Sequence, residues 1–345
     1  MPAETFDVQF SGATTRYMFG DSIRFIEEIT HGKRLIFITD ENVASVHSAF
    51  WNGKNKIVIP AGEGSKNFTL VQSVFEQLIA LETDRKTVLL GVGGGVVTDF
   101  TGFVASTYMR GVAFGFIPTS LLAMVDASIG GKNGVNVGLH KNMMGNIRQP
   151  SFLAFDTKWL STLPREEWSN GFAEIIKYGC IFSAPLFDQL SARDLNYYLE
   201  NEAELASIVR QCVLFKNHTV IRDEFETNER KLLNFGHTLA HPIESVYGLA
   251  HGKAVAIGMV FACRLSEMVN GLDTSVAKIL ENTLVKYELP HSFDYDVSRI
   301  VEILKMDKKK SGSAIEYILL NQLGEGVISK LERTYIENAL YSCKH

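Results

Sequence analysis

The stretch LLGVGGGVVTDFTGF, residues 89–103, decides how the first half of the chain is read. An apolar run passes into three consecutive glycines, Gly93, Gly94 and Gly95, and then into a helical pattern, so a strand is expected to turn directly into a helix. Backbone N–H groups at a helix N-terminus, with no Cβ in the way, suit a pyrophosphate. The literal G-x-G-x-x-G is absent, because Val96 stands where its last glycine would be. A glycine cluster of this kind serves tight turns as well as nucleotide sites.

The same rhythm repeats on either side. RLIFITD (34–40), NKIVIP (55–60), TVLLGVGGG (87–95) and VAFGFIP (112–118) predict buried strands, and FTLVQSVFEQLIALET (68–83) predicts a helix between two of them. This alternation predicts an open parallel α/β sheet. From about Leu163 the character changes. REEWSNGFAEIIKYG, NEAELASIVRQCVLFKNHTVIRDE, GHTLAHPIE and HGKAVAIGMVFACRLSEMV carry helical periods, and only AIEYILL near the C-terminus reads as a strand. The expected domains are an α/β domain over 1–163 and a mainly α-helical domain over 164–345.

Composition narrows the classes. With 345 residues, 46% hydrophobic and 21% charged, the chain has the make-up of an ordinary two-domain globular protein. A net charge of -5 removes a general basic footprint for nucleic acid or anionic membrane, so any anion binding has to be local. No basic segment precedes an apolar run at the N-terminus, and no uninterrupted apolar stretch is long enough to span a membrane, so a cytoplasmic protein is expected. Cys180, Cys212, Cys263 and Cys343 lack CxxC spacing and read as reduced thiols.

Several stretches carry candidate chemistry. PTSLLAMVDASIGGKNGVNVGLHKN (118–142) gathers Asp126, Lys132, Lys141 and Asn142 among glycines, in a segment too long for a simple connection. Its IGGKN is no P-loop, since Asn133 occupies the Ser/Thr position. In the helix that follows Asn201, Lys216 continues the apolar stripe of Leu205, Ile208, Val209, Cys212 and Val213; it either snorkels at the helix end or joins Arg230 and Asn234 in a cationic pocket. Glu174 and Lys177 lie one helical turn apart among apolar neighbours. His237, His241 and His251 fall within fifteen residues, which favours a metal site. HTLAH lacks the glutamate of a zinc-protease motif, and spacing alone leaves open which histidines bind.

Taken in order, GGGVVTDFTGFVASTYMRG, PTSLLAMVDASIGGKNGVN, HKNMMG, TLPREEWSNGFAEIIKYG, RKLLNFGHTLAHPIE, HGKAVAIGM and MDKKK resemble the 3-dehydroquinate synthase family of the sugar-phosphate cyclase superfamily, from about Asp40 to Gly326. The resemblance implies a Rossmann-like NAD-binding domain, a helical metal-binding domain and a homodimer. It implies a divalent metal, zinc or cobalt, on Glu174, His237 and His251, with His241 turned to substrate. NAD contacts carry over to Asp40, Asn42, Glu63, Lys66, Gly94, Gly95, Val96, Asp99, Thr119, Ser120, Lys132, Lys141 and Thr162. Asp126, Lys132, Asn142, Lys177, Lys216, Arg230, Asn234, His241 and Lys309 match the pocket for the small-molecule substrate, 3-deoxy-D-arabino-heptulosonate 7-phosphate, and Arg110 matches the arginine lent to the partner's active site. The implied reaction of the shikimate pathway is transient oxidation by NAD, β-elimination of phosphate, reduction, ring opening and intramolecular aldol closure to 3-dehydroquinate.

The chain departs from the family pattern at Thr98, where glycine is common, at Ser120 for threonine, at Pro242 for alanine and at Lys253 for an acidic residue. Pro242 is expected to kink its helix or mark a distorted turn, and Lys253 bears on the support of the metal ligands. Competing readings are another cyclase of the same superfamily, a metal-dependent polyol dehydrogenase, and a silent binding protein.

Overall fold

The computed structural model describes residues 4–29, 31–138, 140–306 and 314–343. The chain divides into two compact units, Met1–Pro164 with Glu202–Phe225, and Arg165–Asn201 with Glu226–His345. The expected boundary near Leu163 falls beside the first crossing, and the chain then crosses twice more.

The first unit contains β1 (Glu4–Gln9), β2 (Thr14–Phe19), α1 (Ser22–Ile29), β3 (Leu35–Asp40), α2 (Glu41–Val46), β4 (Lys56–Ile59), α3 (Phe68–Ala80), β5 (Val88–Gly93), α4 (Gly95–Thr107), β6 (Ala113–Pro118), β7 (Lys132–Val137), β8 (His140–Ile147) and β9 (Phe152–Phe155). A seven-stranded sheet runs β1-β2-β9-β6-β5-β3-β4, parallel throughout except for the β1–β2 pair. The four predicted strands are its centre and one edge. β1, β2, β9 and the hairpin β7–β8 lie outside the predicted strands. Every residue of β5 is buried, as befits a central strand, and α4 covers it with Val97, Phe100 and Val104. Each such side chain contributes about 1.5–3 kcal/mol through burial. The approach of β7 to α4 requires Gly102, where a Cβ would lie 1.7 Å from Asn133 Oδ1.

The second unit contains α5 (Arg165–Phe182), α6 (Ala184–Ser191), α7 (Leu195–Glu200) and, after the excursion of α8 (Glu202–Arg222) into the first unit, α9 (His237–Tyr247), α10 (His251–Asn270), α11 (Ser275–Lys286), α12 (Val297–Met306), β10 (Ala314–Gln322), β11 (Glu325–Glu332) and α13 (Arg333–Ser342). α10 is apolar almost all round and packs against α5 and α9, as a helix at the centre of its unit should. The predicted AIEYILL strand is β10, paired antiparallel with β11. Pro242 does not interrupt α9, which is helical from His237 to Tyr247. Among the described residues no helix is long and apolar enough to cross a membrane.

Candidate active site

In the first unit the glycine turn behaves as expected. Gly94 is the N-cap of α4 with no side chain to occupy the first turn, so the leading N–H groups of Gly95 and Val96 face outward from the end of β5. Thr119 follows β6 and donates its N–H to Gly93 O at 2.9 Å, bringing Thr119 and Ser120 beside the turn. A Cβ on Gly94 would lie 3.3 Å from Ser120 Oγ. Thr98 is buried, with its hydroxyl on Gly95 O, so this departure points inward and leaves the turn unobstructed.

Beside the turn lies a charged cluster. Lys66, only 3% exposed, donates through Nζ to Asp99 Oδ2 and Asn142 Oδ1, both at 2.7 Å, with Glu63 at 3.7 Å. Burial pushes the Asp99 carboxyl up, against the pull of Lys66 and, more weakly, of Lys216. Lys216 is buried at the end of its apolar stripe, and Nζ donates to both Asp126 O and Asp126 Oδ1 at 2.7 Å. It does not snorkel. Asp126 sits in a π-helical turn over Ala123–Ala127, a local distortion often found at functional sites. Lys132, Lys141 and Asn142 are exposed on the β7–β8 hairpin.

Asp40 caps α2 by accepting from Val43 N, and Asn42 is exposed on the first turn of that helix. Thr162 Oγ1 meets His47 Nε2 at 3.0 Å, and His47 in turn packs edge-on against Trp159. His47 is a link that no motif or spacing singles out. Arg110 is exposed at a turn where Met109 and Arg110 both have positive φ, 50° and 66°. Two successive left-handed non-glycine residues store strain that is typical of functional segments.

The second unit holds the metal candidate. Glu174, His237 and His251 offer ligand atoms that all lie within 4.8 Å of one another. Glu174 is buried in the middle of α5, and Lys177 one turn on, also buried, makes an ion pair with its Oε2. His237 opens α9, and its Nδ1 lies 3.1 Å from Phe235 O, a contact that fixes the proton on Nδ1 and turns Nε2 towards Glu174 Oε1 at 3.6 Å. His251 opens α10 with Nε2 3.3 Å from the same oxygen. Close approach of α10 to α5 makes this possible, since a Cβ on Gly252 would lie 2.5 Å from Asn170 Cα.

The two histidines are driven apart electrostatically. Burial and the Lys177 ammonium bring His237 down to about 3. Burial also works against charge on His251, but hydrogen bonds and opposite charge from Glu174 and Glu244 prevail and raise it to about 9. Glu244, whose Oε2 lies 3.5 Å from His251 Nδ1, is the support that Lys253 left in question. Lys253 instead pairs with the exposed Glu166. The signal for Glu244 was present: it lies seven residues after His237, on the same helical face.

His241 lies against His237, ring centroids 5.3 Å apart, outside the ligand set. Arg230 is buried, and Asn234 Nδ2 donates to Glu226 Oε1 at 3.1 Å. Lys309, like Lys308 and Lys310, lies outside the described residues.

Comparison with known proteins adds an independent line. Residues 56–170 match the family described as 3-dehydroquinate synthase N-terminal, and residues 171–310 match 3-dehydroquinate synthase C-terminal. The chain is 40% identical to the 3-dehydroquinate synthase of Dictyoglomus thermophilum over 82% of this chain and 81% of that one. It is 36% identical to the one from Clostridium beijerinckii over 90% and 91%. Among solved structures, the 2-epi-5-epi-valiolone synthase of Streptomyces hygroscopicus subsp. jinggangensis with NAD+ and Zn2+ bound superposes with a TM-score of 0.86 at 26% identity, over 97% of this chain and 98% of that one. The NADH-dependent butanol dehydrogenase of Thermotoga maritima shares the fold more distantly, with a TM-score of 0.63 at 16% identity over 96% and 97%. Matched by the N-terminal and C-terminal family models and by relatives aligned over 81% or more of either chain, the chain belongs to the 3-dehydroquinate synthase family.

Proposed function

We propose that the chain converts 3-deoxy-D-arabino-heptulosonate 7-phosphate into 3-dehydroquinate and phosphate with NAD and one divalent metal, zinc or cobalt. The observation that carries the reading is the cluster of buried Glu174 and His237 with half-buried His251 in a chain of this family. Two imidazoles and a carboxylate are the donors of three-ligand catalytic zinc sites, and Phe235 O fixes the His237 tautomer that ligation needs. The first turn of α4, cleared of side chains at Gly94 and Gly95, likewise fits the pyrophosphate of a dinucleotide.

When bound, NAD supplies a reversible hydride acceptor and the metal a Lewis acid for an alcohol oxygen. The chain's own residues bind and orient. Glu63, Lys66, Asp99, Thr119, Ser120, Lys132, Lys141 and Thr162 are assigned to the dinucleotide along with Gly94, Gly95 and Val96, and Asp40 and Asn42 to its adenosine end. Lys177, Lys216 and Arg230, which are buried, are assigned with Lys132 and Lys309 to the substrate's carboxylate and phosphate, because cations meet such anions with charge-assisted hydrogen bonds. Asp126, Asn142, Asn234 and His241 are assigned to its hydroxyl groups. Asp126 holds Lys216 by two hydrogen bonds and so presents the ammonium already oriented.

Oxidation of the substrate at C5 acidifies the proton on C6. The departing phosphate accepts that proton, and after reduction the ring opens and closes again by an aldol step. Arg110, exposed on its strained turn, is assigned to the active site of a partner subunit in a homodimer.

The test supplies the heptulosonate phosphate, NAD+ and zinc or cobalt, and follows phosphate, 3-dehydroquinate and absorbance from NADH. Phosphate and 3-dehydroquinate in equal amounts, without net NADH, are expected. Net NADH from a simple polyol, turnover only of a sugar phosphate lacking the carboxylate, or no turnover would overturn the reading.

A further inference from the structure

The β7–β8 hairpin is not a regular ladder. Val135 pairs with Met144 and Val137 with His140, so Asn136 alone stands opposite Lys141, Asn142 and Met143. Two extra residues therefore bulge out of β8 where two of the assigned ligand-binding residues lie, and Asn142 takes a left-handed conformation with φ 54°. Bulges re-aim side chains in this way, at the cost of the ladder hydrogen bonds that would hold them. Something else has to fix the displaced strand.

Asn136 does so with one carboxamide. Its Oδ1 accepts from Asn142 N at 2.8 Å, and its Nδ2 donates to Glu63 Oε1 at 2.9 Å. Its backbone N–H donates to Lys66 O at 2.6 Å, and its strand makes an isolated parallel bridge with Asn67. Lys66 Nζ completes the loop of contacts by donating to Asn142 Oδ1 at 2.7 Å. The bulge and the Glu63–Lys66 turn, 73 residues apart, are thus tied through one side chain. Only an amide of this length fits both demands: Asp has no donor for Glu63, and Ala has neither group.

We propose that Asn136 is a positioning residue that locks the bulged Asn142 to the Glu63–Lys66 turn, so that the cofactor residues and the substrate residues of the first unit are set in one geometry. The functional part of this proposal rests on the assignment of Glu63, Lys66 and Asn142 made above. The variants are Asn136→Ala, Asn136→Asp, Glu63→Gln and the double Asn136→Asp with Glu63→Gln, in which the donor and the acceptor change places.

NAD affinity is titrated by calorimetry, kcat and KM are measured for the wild type and each variant, and amide exchange is followed over residues 136–147. Asn136→Asp is expected to weaken NAD about tenfold by setting a second acceptor against Glu63, and the double variant to bind NAD more tightly than the product of the two single effects. Asn136→Ala is expected to speed exchange of the Asn142 amide and to lower kcat about tenfold while metal content stays at the wild-type level. A cycle that is additive, or an Asn142 amide that exchanges no faster in Asn136→Ala, would overturn the clamp. A wild-type protein that neither binds NAD nor turns over would overturn the functional assignment instead, and the exchange measurement would still decide whether Asn136 holds the bulge.

Discussion

Two charged clusters, one in each unit, are built by opposite means. The Lys66 cluster of the first unit is assembled from a turn, a helix and a bulged hairpin, and its geometry depends on side-chain hydrogen bonds from Asn136 and Lys66. The Glu174 cluster of the second unit stands on three helices, with both histidines at helix starts and the glutamate mid-helix. Helical scaffolding needs little beyond backbone packing and one supporting contact per ligand. The difference teaches that the Glu174 cluster is rigid by construction, whereas the Lys66 cluster is rigid only while its polar network is complete.

Substitutions break this contrast in graded ways. Glu174→Ala should abolish bound metal and turnover, and by leaving Lys177 buried without its carboxylate should cost about 3–5 kcal/mol of stability in the metal-free protein. Metal analysis and thermal unfolding check both; retained metal would remove Glu174 from the ligand set. Lys66→Met should weaken NAD by about 100-fold through two lost charge-assisted hydrogen bonds while bound metal stays at wild-type level, so a fall in metal content would show that the clusters are not independent. Glu244→Gln should loosen metal by about 30-fold, read by competition with a chelator, because His251 loses its charged support. His241→Ala should keep its metal and lower turnover about tenfold; equal metal loss here and in Glu174→Ala would mean the histidines are wrongly assigned. The smallest effect belongs to Lys253→Ala. Its pair with Glu166 is partly exposed, so metal affinity should not change and stability should move by less than about 1 kcal/mol.

Much of this was legible from residue spacing. The strands from Leu35 to Pro118 are continuous apolar runs, and the apolar stripe ending at Lys216 has a helical period, so the parallel sheet and α8 could be read directly. β1, β2, β9 and the β7–β8 hairpin are not among the predicted strands: β1 does alternate at Phe6 and Val8, β9 is only four residues long, and the hairpin is interrupted by glycine and a bulge. In the site, HxxxH invited His237 and His241 as a chelating pair, and periodicity has no means of preferring His251 over His241 or of bringing in Glu174 from α5. Family resemblance made that choice. Asn136 and His47 escaped altogether, since each acts on a segment remote in sequence and neither residue type stands out from its surroundings.

The excursion of α8 sets an order on synthesis. A nascent chain that has reached Pro164 already carries every strand of the seven-stranded sheet, yet it lacks Asn217 for the Tyr17 hydroxyl, Glu224 for Ser11 and Gln149, Arg210 for Glu4 and Lys216 for Asp126. Those partners arrive only after the whole of α5, α6 and α7, which belong to the other unit, has left the ribosome. Neither unit is therefore a contiguous piece of the gene. Completion of the first waits on about sixty further residues of translation, several seconds at ordinary elongation rates, during which those side chains are without the partners that α8 and the residues after it bring.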